Sequence, residues 1–159
     1  MVYCMLVDLL RRDHDDLMVA LDLMVLPTTP RAMLLDSRDA IRLAFMVHAV
    51  AEKRVVKRLA RREPFPIVHE LLTQSVSEHV EQELIIEDLF DSEVGTPDWF
   101  ALALEMRERV HNHSEREEIA WANVRDVVPA RLHAALAGEY ATERMKVLAA
   151  TNPLGLEVA

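Results

Sequence analysis

A helical seam interrupted by polar residues is the feature of this sequence that most restricts its fold. Between Ile41 and Leu59, the positions that share one helix face recur with alternating spacings of four and three. Most of them are apolar, which indicates that this face is buried. That spacing puts His48 and Glu52 on the buried face. Burying an imidazole and a carboxylate one turn apart is costly unless both find partners, and a metal ion satisfies both. The segment therefore predicts a metal site on a core helix.

The same interruption recurs on three further predicted helices. The polar residues on apolar seams are His14 in the first helix, His48 and Glu52 in the second, His79 and Glu83 in the third, and His113 and Glu117 in the fourth. All seven fall near the middle of their helices. The midpoints of antiparallel helices in a bundle share one level, so we expect these side chains to converge on one interior layer.

Breakers and caps divide the chain into five predicted helices. The first is predicted over about 2–26. The second starts at a cap on Asp36 or Ser37 and ends near Arg62. The other three cover 67–92, 97–128 and 129–150, and Thr96 is the predicted N-cap of the fourth. The predicted fold class is all-α: an antiparallel, up-down-up-down four-helix bundle with a short C-terminal fifth helix. The predicted organisation is a bundle over 1–128, an accessory helix over 129–150 and a tail over 151–159.

Composition excludes several classes of protein. The net charge of −9 argues against a nucleic-acid partner. No stretch approaches the ~20 apolar residues of a membrane span, and the N-terminus lacks the basic leader of a signal peptide. The single cysteine, Cys4, excludes an internal disulfide and a thiolate-rich metal site. We therefore expect a soluble, cytoplasmic protein without nucleic-acid or membrane partners.

The seven polar side chains form a donor set of four imidazoles and three carboxylates. That is too many for one tetrahedral zinc ion, but it suits two ions of higher coordination number with bridging carboxylates. Mixed nitrogen and oxygen donors favour iron or manganese over calcium or magnesium, and zinc is a further candidate.

The motifs at these positions resemble those of the hemerythrin-like (HHE cation-binding) family over about 7–128. They are Asp13-His14-x-x-Leu17, His48-x-x-x-Glu52, Glu78-His79 and His113-x-x-x-Glu117-Glu118. The resemblance implies an oxo- and carboxylate-bridged di-iron centre with O2, NO or peroxide as ligand. It also implies iron ligation by the four histidines, a bridging role for Glu52, and a second carboxylate from Glu117 or Glu118.

Two positions depart from the oxygen-carrying members of that family. Those members have a second histidine where this chain has Glu83, and an aspartate where it has Glu118. A carboxylate-rich shell stabilises ferric iron, which favours sensing, iron handling or peroxide and NO chemistry over oxygen carriage. Two alternatives remain: a di-metal oxidase or peroxide-consuming enzyme, and a metal-free module whose fifth helix binds a protein partner or a second copy of the chain.

Other charged groups are interpreted as structural. His111 and Glu115 repeat the His-x-x-x-Glu spacing, but they share a face with charged residues, which indicates an exposed pair. The basic run over 53–62 is interpreted as a solvated face. Asp13 could orient a ligand histidine, although solvation is the simpler interpretation.

Overall fold

The computed structural model describes residues 6–151, and the regular secondary structure over that range is all α-helix, in five segments joined by short turns. The helices are α1 (Leu6–Met24), α2 (Arg31–Arg62), α3 (Pro66–Asp91), α4 (Pro97–Val127) and α5 (Ala130–Thr151). No strand occurs among the described residues. The all-α prediction is confirmed for this range. Cys4, the predicted helical residues before Leu6 and the tail beyond Thr151 lie outside it.

The helix boundaries show which local signals decide where a helix begins. The Thr96 side chain accepts a hydrogen bond from the Trp99 N–H, and Pro97 occupies the first turn of α4, so the predicted N-cap is confirmed. The predicted cap at Asp36 or Ser37 is wrong. α2 already begins at Arg31, because Pro30 supplies a compatible φ of −57° and burial of Leu34 stabilises the added turn.

Four of the helices pack in a closed order. α1 packs against α2 and α4, and α3 packs against the same two helices. α5 packs against α2 and α1. None of the five helices combines the length and the apolar character that crossing a membrane requires.

The apolar core is split into two clusters. One contains Leu10, Val55, Leu71 and Trp121, and the other contains Leu17, Phe45, Ile85, Val110 and their neighbours. Along each of α1 to α4, the predicted ligand histidine falls between a residue of the first cluster and a residue of the second. A polar level therefore separates two apolar regions, and both regions shield it from water.

Ion pairs fasten α5 to α2. Glu143 binds Arg54 at 2.9 Å and Arg58 at 2.6 Å, and Glu139 binds Arg62 at 2.6 Å. Part of the basic run that was predicted to be a solvated face thus forms a helix interface. The sequence interpretation missed this, because the acidic partners are about 80 residues away in the chain.

Candidate metal centre

Six of the seven predicted ligands meet in the interior. We call this set the histidine–glutamate cluster: His14, His48, Glu52, His79, His113 and Glu117. Every member is at most 6% exposed, and His48 and Glu52 are fully buried. Polar groups are so costly to bury that their concentration at one level requires an energetic explanation.

All four imidazoles turn their Nε2 atoms toward the centre of the cluster. His14 Nε2 lies 3.3 Å from His48 Nε2 and 3.2 Å from Glu117 Oε2. His79 Nε2 lies 3.3 Å from Glu52 Oε2. His113 Nε2 lies 3.9 Å from Glu117 Oε2. The same atom of each imidazole therefore faces a common space that carboxylate oxygens also border.

The donor atoms fall into two overlapping groups. One combines His14 and Glu117 with His48 and His113, and the other combines Glu52 and His79 with the same two histidines. Within each group the donors lie within 4.8 Å of one another. His48 and His113 thus occupy the middle of the cluster, with one imidazole and one carboxylate on each side.

Several inward-facing atoms have no hydrogen-bond partner among the described residues. They are Glu52 Oε2, His79 Nε2, His113 Nε2 and Glu117 Oε2. A buried polar atom without a partner costs about 1–3 kcal/mol. Because these orphaned atoms share one space and are imidazole nitrogens or carboxylate oxygens, the donor set fits a metal ion of iron, manganese or zinc type.

Burial also sets the protonation of the cluster. Desolvation, together with the neighbouring His48 and His113, lowers the pKa of His14 to about 2. Desolvation likewise lowers the pKa of His79 to about 3. Desolvation and the adjacent Glu52 carboxylate raise the pKa of Glu117 well above its ordinary value. His14 and His79 are therefore neutral imidazoles with lone pairs free to bind a cation.

Hydrogen bonds with neighbouring side chains orient two of the candidate ligands. Ser75 donates its hydroxyl to Glu52 Oε1 at 2.6 Å. His113 Nδ1 lies 2.5 Å from Glu78 Oε2, and Arg116 binds the other Glu78 oxygen at 2.8 Å. Burial opposes ionisation of Glu78, but the His113 and Gln74 hydrogen bonds lower its pKa to about 2. A carboxylate behind the His113 imidazole fixes which nitrogen faces the cluster.

Asp13 and Tyr140 form a second buried group behind His48. The Tyr140 hydroxyl lies 3.0 Å from His48 Nδ1 and donates to Asp13 Oδ2 at 2.5 Å. Arg144 binds the other Asp13 oxygen at 2.8 Å. Asp13 is only 5% exposed, so the interpretation of it as a solvated residue is wrong. Tyr140 was missed altogether, because its position on the fifth helix gave no metal-ligand spacing.

Glu83 is the predicted ligand that the structure leaves outside the cluster. Its side chain is exposed, because α3 faces the interior with Ser75, His79 and Gln82 instead. Glu118 also lies at the surface, where it binds Arg11 at 2.9 Å. Glu117 is thus the carboxylate that α4 contributes to the cluster. The histidine–glutamate cluster therefore consists of four imidazoles and two carboxylates.

The His111 and Glu115 pair confirms that motif spacing alone does not define a site. Its two groups approach within 3.6 Å, yet the side chains are 56% and 65% exposed. The predicted surface position of this pair is confirmed. It offers a matched control for the buried pairs, because it has the same residues at the same spacing.

A cavity of about 550 Å³ between α2 and α3 reaches the cluster. His79 contributes to its wall, together with apolar residues that include Phe45, Ala49 and Val76. Charged residues of both signs, including Lys53 and Glu83, also line it. This cavity gives a small molecule a largely apolar route to one side of the cluster.

Comparison of the chain with family models, with curated proteins and with solved structures found no match.

Proposed function

We propose that this protein is a hemerythrin-like, non-haem di-iron protein that binds O2, or a related small ligand such as NO or peroxide, for sensing, redox or iron handling. The observation that carries the proposal is the convergence of four Nε2 atoms and two carboxylates on one buried space. The orphaned donor atoms there support it further, because metal binding would satisfy them.

The division of the cluster into two groups favours two ions over one. In a six-coordinate shell with bonds of about 2.1 Å, no two donors lie more than about 4.2 Å apart. Here His14 and Glu117 belong only to the first group, and Glu52 and His79 only to the second. Each imidazole offers one inward nitrogen, so the four nitrogens would be divided between the two ions. Glu52 and Glu117 each have two oxygens, which is enough to contact both ions.

We also propose that α1 to α4 form the antiparallel, up-down-up-down bundle that the sequence predicts. The closed packing order of these four helices supports this topology. So do the connections between consecutive helices, which are at most six residues long. Such a bundle brings the middle of each helix to one level, where the cluster lies.

Bound iron would supply reversible binding or reduction of the small ligand, and the protein controls access to it. Leu17, Phe45 and Val110 flank the cluster on α1, α2 and α4 and are at most 5% exposed, so they exclude bulk water. α3 contributes only His79, and the cavity meets the cluster at that residue. We therefore propose that the exogenous ligand approaches from the side of α3.

The exposed position of Glu83 changes the balance among the alternatives. The enzyme alternative, a di-metal oxidase or peroxide-consuming protein, drew support from a third carboxylate, and Glu83 does not reach the cluster. The metal-free alternative, with a homodimer or protein partner bound through the C-terminal helix, leaves the cost of the orphaned atoms without compensation. The exposure of Glu83 also removes the carboxylate-rich shell that favoured sensing over oxygen carriage, so the di-iron proposal rests on the four imidazoles, Glu52 and Glu117.

Anaerobic loading with Fe(II), followed by exposure to O2, NO or peroxide, tests this proposal. We expect near-ultraviolet and visible ferric bands that appear with the oxidant, and a ligand complex that reverses on removal of NO or O2 in a sensor. Sustained consumption of peroxide would instead favour the enzyme alternative. A folded protein whose spectrum never changes would rule out the di-iron proposal.

A further inference from the structure

Tyr140 connects the outer helix α5 to the centre of the cluster. The side chain is fully buried, and its hydroxyl lies between His48 Nδ1 at 3.0 Å and Asp13 Oδ2 at 2.5 Å. His48 is one of the two histidines common to both donor groups. A residue outside α1 to α4 thus contacts the imidazole on which both halves of the centre depend.

The direction of these hydrogen bonds fixes the position of a proton. A tyrosine hydroxyl has one hydrogen, and Tyr140 donates it to Asp13. The Asp13 carboxylate is available as the acceptor, because Arg144 binds its other oxygen at 2.8 Å. The Tyr140 oxygen can then only accept from His48, so Nδ1 of His48 carries hydrogen. Nε2 of His48 keeps its lone pair and faces the cluster.

We propose that Tyr140 is a positioning residue, which holds His48 in the Nδ1–H tautomer and makes α5 an integral part of the metal centre. The claim about the tautomer concerns the metal-free chain, and the consequence for metal binding rests on the proposed function. The effect of Tyr140 on a bound metal would be indirect, because its hydroxyl contacts His48 Nδ1, the nitrogen that faces away from the cluster.

The other shared histidine is held in the same way. His113 Nδ1 donates to Glu78, which belongs to α3. Within residues 6–151, the two histidines common to both groups are the two cluster histidines whose Nδ1 atoms hydrogen-bond to a side chain. The two imidazoles that both donor groups share are therefore the ones held in a fixed orientation, His113 by a side chain of α3 and His48 by a side chain of α5.

Contacts of α5 residues before and after Tyr140 hold its side chain in the interior. Glu139 and Glu143 bind arginines of α2, and Arg144 binds Asp13 of α1. The apolar residues Leu136 and Ala137 pack in the same core cluster as the Tyr140 ring. The packing of α5 against α1 and α2 therefore also determines the orientation of His48.

Nitrogen-15 NMR of the imidazoles in the metal-free protein tests the tautomer directly. We expect the wild-type His48 signals of an Nδ1–H imidazole, and loss of that preference in Tyr140→Phe, which keeps the ring and removes the acceptor. Glu139→Gln is the matched control, since it disturbs an ion pair of α5 without touching His48. An Nε2–H form in the wild type, or an unchanged pattern in Tyr140→Phe, would overturn the proposal.

Titration with Co(II) tests the consequence for metal binding. We expect Tyr140→Phe to weaken Co(II) affinity by about 10–100-fold, as is typical when the partner of a ligand histidine is removed. Glu139→Gln should stay within about twofold of the wild type. Equal affinities of the wild type and a folded Tyr140→Phe would overturn the positioning role. If the wild type binds no Co(II), the proposed function fails, while the NMR result still decides the tautomer.

Discussion

The Nε2 atoms of His14 and His48 lie 3.3 Å apart in the interior, with both side chains at most 4% exposed. A single hydrogen is the most that can lie between these two nitrogens. The remaining lone pairs of the cluster face unpaired carboxylate oxygens and imidazole nitrogens. A cation is the species that would stabilise all of them together.

Metal removal should destabilise the protein. A metal ion that binds only the folded state at 100 times its Kd adds about 2.7 kcal/mol to the free energy of unfolding. For a chain of this length, that corresponds to a rise in Tm of about 5–10 °C. Calorimetry with and without chelator measures the shift. Equal midpoints in both conditions would contradict metal binding in the cluster.

Glu52 and Glu83 should respond differently to the same substitution. Glu52→Gln should lower metal affinity by at least about tenfold, because a buried carboxylate in the cluster becomes a weaker amide donor. Glu83→Gln should leave metal affinity unchanged, since the side chain is exposed. Metal titrations of the two variants measure both affinities. A large loss of affinity in Glu83→Gln would show that α3 is rotated relative to this structure.

Narrowing the cavity should slow ligand access without removing metal. Ala49 lines the route between α2 and α3, so Ala49→Phe should reduce the rate of azide binding to the iron-loaded protein by about tenfold or more. Val19→Phe is a suitable control, because Val19 is 65% exposed on α1. Stopped-flow absorbance measures both rates. An unaltered rate in Ala49→Phe with normal iron content would exclude this route.

The α5 interface should lose stability in acid. Hydrogen bonds from Arg58 and Arg54 lower the pKa of Glu143 to about 2 from a reference value of 4.5. A carboxyl group whose pKa is lower in the folded state contributes stability above its unfolded pKa, and that contribution is lost as the pH falls through the folded pKa. Glu143→Gln should therefore lower Tm near neutral pH, and its difference from the wild type should shrink between pH 4.5 and pH 2.

A difference that stays constant across that range would show that Glu143 acts through packing and not through its charge. Lys53→Gln is a useful control for general charge effects, because Lys53 is exposed on α2. Its Tm should follow that of the wild type at every pH.

The sequence predicted most of the cluster because helical periodicity determines which residues share a face. His48 and Glu52, or His113 and Glu117, are one turn apart on a seam whose other members are apolar. Glu83 shows where this reasoning stops. Positions three and four residues after His79 both satisfy the period, and the structure turns Gln82 inward instead of Glu83. Helix rotation of that size depends on packing against neighbours, for example on the Ser75 hydroxyl that binds Glu52.

The role of α5 depends on contacts that local patterns do not encode. Tyr140 reaches Asp13 across 127 positions of the chain, and Glu143 reaches Arg54 across 89. The spacing of Leu136 and Tyr140 does indicate a buried helix face, but it does not say which helix that face covers. The start of α2 was missed for a related reason, because burial of Leu34 outweighs the capping preference of Asp36.

The most direct test of the central claim is the metal content of the folded protein after anaerobic Fe(II) loading and removal of unbound metal. The account predicts about two irons per chain in the wild type and in His111→Ala, whose imidazole is exposed, and loss of most of that iron in His48→Ala. Circular dichroism should confirm that all three proteins remain helical. Wild-type protein that folds but retains no iron, or His48→Ala that retains as much as the wild type, would contradict it.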